Sequence, residues 1–170
     1  MTAASLVPDA VACATLDAIR AEIAAAPFKD YWIADRGKYR FNDSLALPEF
    51  FATLTQLAEA RTGLRTSALA FRWTRHRHGD YAQPKDDDRF WAGRRAIDLT
   101  LDLSAAASDE GQVVWFDAAR SLVLPQTPGT LALVVRDAPL ARYERYLTHR
   151  IGAAEVFRLR LVLSVESRAA

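Results

Sequence analysis

The stretch Ala96-Ile97-Asp98-Leu99-Thr100-Leu101-Asp102-Leu103 alternates between aliphatic and polar side chains at every step. In an extended chain successive side chains point to opposite faces. Ile97, Leu99, Leu101 and Leu103 therefore share one face, and Asp98, Thr100 and Asp102 the other. Two further stretches repeat the pattern. In Leu69–His76, Leu69, Phe71 and Trp73 oppose Arg72, Thr74 and His76. In Phe157–Ser164, Phe157, Leu159, Leu161 and Leu163 oppose Arg158, Arg160, Val162 and Ser164. Shorter runs at Gln112–Asp117, Ser121–Leu124 and Thr130–Val135 bring the strands to six or more, with Asp109-Glu110-Gly111 and Pro128-Gly129 as turns.

Upstream the period is helical. Leu16, Ile19 and Ile23 recur at helical spacing within Thr15–Ala26, and Pro27 stops the run. A second helix starts near Pro48, a good first-turn residue, carries Phe50, Phe51, Leu54 and Leu57, and ends near Gly63. Between them, Tyr31–Phe41 has room for one or two short strands. Helices followed by many strands predict a mainly β fold, a β-sandwich or jelly roll with the helices packed on one sheet. The chain reads as one domain of 170 residues, with helical support over about 1–63 and a β core over about 64–168. The aliphatic faces then pack under the helices. The polar faces, with Arg72, Thr74, His76, Asp98, Thr100, Asp102, Arg158 and Arg160, either line the space between the sheets or meet water. The first arrangement costs stability unless the charges are paired or hydrated, which proteins tolerate at ligand sites.

Composition narrows the function classes. The residues are 51% hydrophobic and 25% charged, with a net charge of +1, so no global field suggests nucleic acid or an anionic membrane. Arg72, Arg75 and Arg77 beside Trp73 form a basic cluster, but Asp86-Asp87-Asp88 offsets it, and no nucleic-acid partner is expected. The single cysteine, Cys13, allows neither an intrachain disulfide nor a cysteine metal cluster, and reads as a small buried residue. The N-terminal stretch lacks a basic start and no segment approaches membrane-spanning length, so a cytoplasmic location without membrane association is the expectation. A homodimer is left open; nothing in the sequence requires one.

One further pattern is built from separated pieces. Gly79, Tyr81 and Lys85-Asp86-Asp87 are followed by the strand Ala96–Ser104, then by Gly111-Gln112-Val113-Val114-Trp115-Phe116. Leu124-Pro125 and the Gly129–Val135 strand come next, and last His149-Arg150-Ile151 and Arg158. In this order and spacing, Leu69–Val165 resembles the double-stranded β-helix core of the prolyl-4-hydroxylase-like 2-oxoglutarate/Fe(II)-dependent dioxygenases, in their small bacterial branch. The resemblance implies a hydroxylase acting on a peptidyl or small-molecule substrate with Fe(II), 2-oxoglutarate and oxygen. Asp87 is then the carboxylate ligand, His149 the imidazole ligand, and Arg158 the two-pronged partner of the 2-oxoglutarate carboxylate.

Two positions depart from that pattern. Lys85 stands where the first histidine ligand belongs, and an ammonium cannot ligate a metal. Lys85 instead sets its charge near Asp87 and takes over part of the metal's electrostatic role, or iron stays on Asp87 and His149 with His76 or His78 as a substitute ligand. Asp102, with Thr100 on the same strand face, comes near Arg158 and competes with a dicarboxylate there. His76 and His78 otherwise read as a basic turn, and Arg142, Arg145 and Arg150 with Tyr143 and Tyr146 as a pocket mouth or a solvated surface. Three functions follow: an active oxygenase built on Asp87, His149 and Arg158; a catalytically silent relative binding an anionic ligand in the cavity or a protein partner; and an enzyme using Lys85 as a general acid or Schiff-base amine, which the neighbouring carboxylates oppose.

Overall fold

The structure, a computed structural model, describes residues 4–87, 95–119, 121–124, 127–136 and 140–166. Asp88, Arg94 and Pro125 lie outside the described residues. In chain order the elements are β1 (Ala4–Val7), α1 (Cys13–Ala25), β2 (Lys29–Ile33), β3 (Gly37–Asn42), α2 (Pro48–Thr62), β4 (Thr66–His76), β5 (Tyr81–Ala82), α3 (Pro84–Asp87), β6 (Ala96–Asp102), β7 (Val113–Phe116), β8 (Ser121–Leu124), β9 (Leu131–Arg136), β10 (Ala141–Glu144) and β11 (Val156–Val165), with a 3-10 turn at His149–Ile151. Strands also occur before residue 63, where β1 joins β9 and β3 joins both β4 and β5.

The helix ends follow local chemistry. Pro48 occupies the first turn of α2, where its missing N–H is no loss. Gly63 closes the same helix in the left-handed conformation (φ 69°), donating its N–H to the Glu59 carbonyl at 2.8 Å. α1 ends as Ala26 turns extended before Pro27.

All strands are antiparallel along one path, β1-β9-β6-β11-β4-β3-β5-β10-β7-β8, with β2 pairing β3. The path folds into two facing layers. On the first, β9, β6, β11 and β4 turn Leu131, Leu133, Ile97, Leu99, Leu101, Leu159, Leu161, Leu163 and Trp73 outward against Leu16, Ile19 and Ile23 of α1 and Phe51, Leu54 and Ala58 of α2. Each leucine, isoleucine or phenylalanine among them contributes roughly 1.5–3 kcal/mol by leaving water. On the other side of the same sheet, Ala132 and Val134 of β9 meet Val113 and Trp115 of β7 and Leu124 of β8. These contacts mark the apolar half of the space between layers. The register brings Arg158 opposite Asp102 and Arg160 opposite Thr100 on β11 and β6, and sets Arg158 opposite Thr74 on β4.

Candidate functional site

The other half of that space is ionic. Arg72, Thr74, His76, Asp98, Thr100, Asp102, Arg158 and Arg160 are all buried. Of the two arrangements open to the alternating strands, the polar faces take the interior one.

Two charge clusters occupy the interior. In the first, Asp87 and Asp98 face the guanidinium groups of Arg136 and Arg160. Arg136 donates to Asp87 Oδ2 at 2.6 Å and to Asp87 Oδ1 and Asp98 Oδ2 at 3.2 Å, and also bonds the Leu140 carbonyl. Arg160 donates through Nε to Asp98 Oδ1 at 3.1 Å and through Nη2 to Asp87 Oδ1 and Asp98 Oδ2. Burial works to raise the Asp87 carboxyl, but Arg160 and Arg136 outweigh it and hold that group below its ordinary range. In the second cluster, Glu144 accepts from Arg142 at 2.8 Å and from Arg158 at 2.6 Å, and His76 Nε2 lies 3.5 Å from its Oε2. Burial again opposes, and the surrounding cations, Arg142 and Arg158 among them, hold Glu144 well below the usual carboxylate range. His76 is fully buried and its ring stacks on Tyr39 at 5.2 Å. Burial pushes its pKa down, against the pull of Glu144, so the ring is neutral at neutral pH. The Tyr39 hydroxyl donates to Asp86 at 2.6 Å and accepts from Arg72 at 3.0 Å. Burial, then the Asp86 charge, pushes that hydroxyl far up its range. Between Tyr39, His76, Arg142 and Glu144 the packing leaves a void of about 10 Å³, room for one water molecule.

The residues expected to form a metal site are distributed differently. Asp87 is buried in the first cluster and Arg158 in the second. Lys85 lies outside both. Its side chain is 63% exposed and its ammonium pairs with Asp35 at 2.6 Å, so the cations beside Asp87 are Arg136 and Arg160 instead. The reason is local: Lys85 and Asp87 belong to the one-turn helix α3, where positions two apart are about 200° apart around the axis. In a strand they would share a face. His149 opens the 3-10 turn and is exposed; the buried member of that turn is Ile151. His78 lies past the end of β4, exposed, edge-on to Tyr146 at 6.4 Å. Asp102 faces inward opposite Arg158, but its Oδ1 accepts the Ser104 N–H at 2.8 Å, closing its own strand end, while Arg158 turns to Glu144. Thr100 is buried, and its hydroxyl has no hydrogen-bond partner. Among the described residues, no group of three or more His, Cys, Asp or Glu side chains is placed to hold a metal ion.

Sequence reasoning missed Arg136, Glu144 and the inward role of Arg142. A signal was there. Arg136 shares a strand face with Ala132 and Val134, and Arg142 and Glu144 alternate with Ala141 and Tyr143.

No protein-family model and no curated protein matches the sequence. Solved structures do. A prolyl-4-hydroxylase from Pseudomonas putida superposes with a TM-score of 0.70 at 16% identity, over 96% of this chain and 93% of that one. A 2OG-Fe(II) oxygenase family oxidoreductase from Burkholderia pseudomallei gives 0.72 at 16% identity, over 99% and 88%. The chain has the double-stranded β-helix fold of these oxygenases. HygX from Streptomyces hygroscopicus, solved with nickel and 2-oxoglutarate bound, gives 0.67 at 11% identity over 96% and 83%.

HygX holds nickel and 2-oxoglutarate, and the interior of this chain can be tested for a fit to both. A ligating carboxylate needs free lone pairs facing an open coordination position, with imidazole donors beside it. Both oxygens of Asp87 are taken by guanidinium groups, and the buried histidine, His76, stands in the other cluster, against Glu144 and Tyr39. For 2-oxoglutarate, Arg158 is already paired with Glu144, and the void holds a water molecule and no more. The residues do not fit either group.

Proposed function

We propose that this chain is a metal-independent relative of the 2-oxoglutarate oxygenases, in which the catalytic hollow has become an ionic core and the fold serves to bind a protein partner. The observation that carries the reading is the double grip of Arg136 and Arg160 on Asp87. A buried carboxylate bonded by two guanidinium ions has its charge compensated as a metal would compensate it, and each of its oxygens already faces a cation. The 10 Å³ void argues for a partner on the surface over an anionic ligand inside. The active-oxygenase reading is favoured by the fold and by the buried arginine on β11; it requires both guanidinium groups to leave Asp87.

Titration calorimetry with Fe(II) under anaerobic conditions, with Ni(II), and with 2-oxoglutarate in the presence and absence of metal tests the proposal. No saturable heat at micromolar concentration is expected, and no metal-dependent decarboxylation of 2-oxoglutarate. A micromolar metal site abolished by Asp87→Asn would overturn it.

A further inference from the structure

α1 and the first turn of α2 border an open trough of about 710 Å³ on the outer side of the helical layer. Val11 and Ile19 form its floor, and Leu47 and Phe50 its far wall. The near wall is Ala12, the residue before α1, with Thr15 and Ala18, three apart on the helix; all are exposed. A helix facing water ordinarily carries charge on its outer face. The exposed positions of α1 are Cys13, which the sequence reading places in the interior, and Ala14, Thr15, Asp17, Ala18, Ala21, Glu22, Ala24 and Ala25; only Asp17 and Glu22 are acidic or basic residues, and Glu22 lines the trough. Depletion of charge over an apolar concave surface is the mark of an interface core. Glu22 and Glu49 stand on the trough, and no lysine or arginine is among its described lining residues. The cation of α1, Arg20, is turned away and anchored to the Leu103 and Ser104 carbonyls at 3.0 and 2.6 Å.

We propose that this trough binds one amphipathic helix of a partner protein, apolar on the buried face and carrying lysine or arginine on its flanks. The small side chains of α1 let a second helix axis come within the 8–10 Å of ordinary helix packing, and the two glutamates select a basic flank. A second copy of this chain is a poor occupant. A two-fold contact of trough on trough would bring in two more glutamates and no lysine or arginine from the described lining to face them. The proposal rests on the partner-binding reading above, but its test is independent of metal.

The probe is a fluorescein-labelled synthetic peptide of roughly four helical turns, with leucine at i, i+3, i+4 and i+7 spacing and lysine elsewhere, titrated with the intact chain in EDTA. A peptide with glutamate at every lysine position is the control. The lysine peptide is expected to bind and to gain helical circular dichroism, and the glutamate peptide to bind at least about tenfold more weakly. Ala18→Arg, and separately the pair Glu22→Lys and Glu49→Lys, should each weaken the lysine peptide by at least about tenfold, the loss expected of a central interface position. These sites are exposed, so unchanged melting temperatures verify folding. Equal binding by the variants, equal binding of both peptides, or no binding of either overturns the proposal. So does concentration-dependent dimerisation abolished by Ala18→Arg, which assigns the trough to a second copy. A metal site found by calorimetry would sink the proposed function and leave this result standing.

Discussion

Replacing Arg136 by methionine removes one of the two cations from the Asp87–Asp98 cluster while keeping most of the apolar stem. The Arg136 side chain is wholly buried and bonds Asp87, Asp98 and the Leu140 carbonyl. Without it, among the described residues of the cluster, two buried carboxylates share one guanidinium, an excess of one negative charge. Breaking a buried ion pair from one side costs about 3–5 kcal/mol, because the remaining charge is left without compensation. For a chain of this length that lowers the melting temperature by roughly 6–20 °C. Urea unfolding at pH 7 should show the loss as a lower midpoint with an unchanged slope. The effect carries a pH signature. In the parent chain the folded-state pKa of Asp87 is depressed, so its contribution is present above the unfolded value of about 4 and is lost as pH falls through the folded one. In the variant, Arg160 and the more weakly acting Arg142 remain, burial weighs more against the charge, and the carboxyl should take up a proton at higher pH. The gap between parent and variant should therefore narrow as pH drops from 7 toward 4. The double variant Arg136→Met with Asp87→Leu removes one charge of each sign and should recover much of the loss. A single variant within about 1 kcal/mol of the parent at all pH values, or a double variant as unstable as the sum of its singles, would refute the cluster as described.

Two further outcomes follow. The folded pKa of His76 is depressed, while the unfolded chain protonates near 6.5, so stability should fall as pH drops below about 6.5, with a slope approaching about 1.4 kcal/mol per pH unit. The groups facing the ring are Tyr39, Glu144, Arg158, Asp80 and Arg142. His76→Phe keeps the stack on Tyr39 and should flatten the unfolding free energy between pH 6.5 and 5; an unaltered slope assigns the dependence elsewhere. Lys85→His should create no metal site, because position 85 faces Asp35 and solvent. A micromolar Ni(II) isotherm that appears with Lys85→His and vanishes on adding Asp87→Asn would show that α3 can turn its first residues inward.

The faces of the long strands were legible because a period of two needs no knowledge of neighbours. Ile97 to Leu103 and Phe157 to Leu163 lie against the helices as their alternation requires, and the helices around Leu16 and Leu54 fall within a few residues of their predicted limits. What alternation leaves open is whether the polar face meets water or a second sheet, and that depends on strands too short to read with assurance. β10 has four residues, yet it supplies Arg142 and Glu144 to the interior. Arg136 ends an apolar run and reads as its boundary when it is in fact its last inward residue. Lys85 and His149 lie away from the buried clusters for another reason. Their expected positions came from spacing along the chain, while a single helical turn at one and a 3-10 turn at the other decided where the side chains point. Nor does any local pattern say which carboxylate an arginine will choose; Arg158 lies opposite Asp102 in the sheet and pairs with Glu144 across the hollow.

The charges inside this fold set metal binding at Asp87 against the observed packing. A cation at Asp87 would have to displace both Arg136 and Arg160 from its oxygens. Arg136 is wholly buried, and Arg160 would lose its bond to Asp87 while keeping the one to Asp98. A buried guanidinium parted from its carboxylate costs several kcal/mol, and a site without neighbouring imidazole donors recovers little of that through one carboxylate bond. On the proposed reading, Arg136 and Arg160 supply the positive charge that the buried Asp87 carboxylate needs, so an ion there would add charge to a site already compensated.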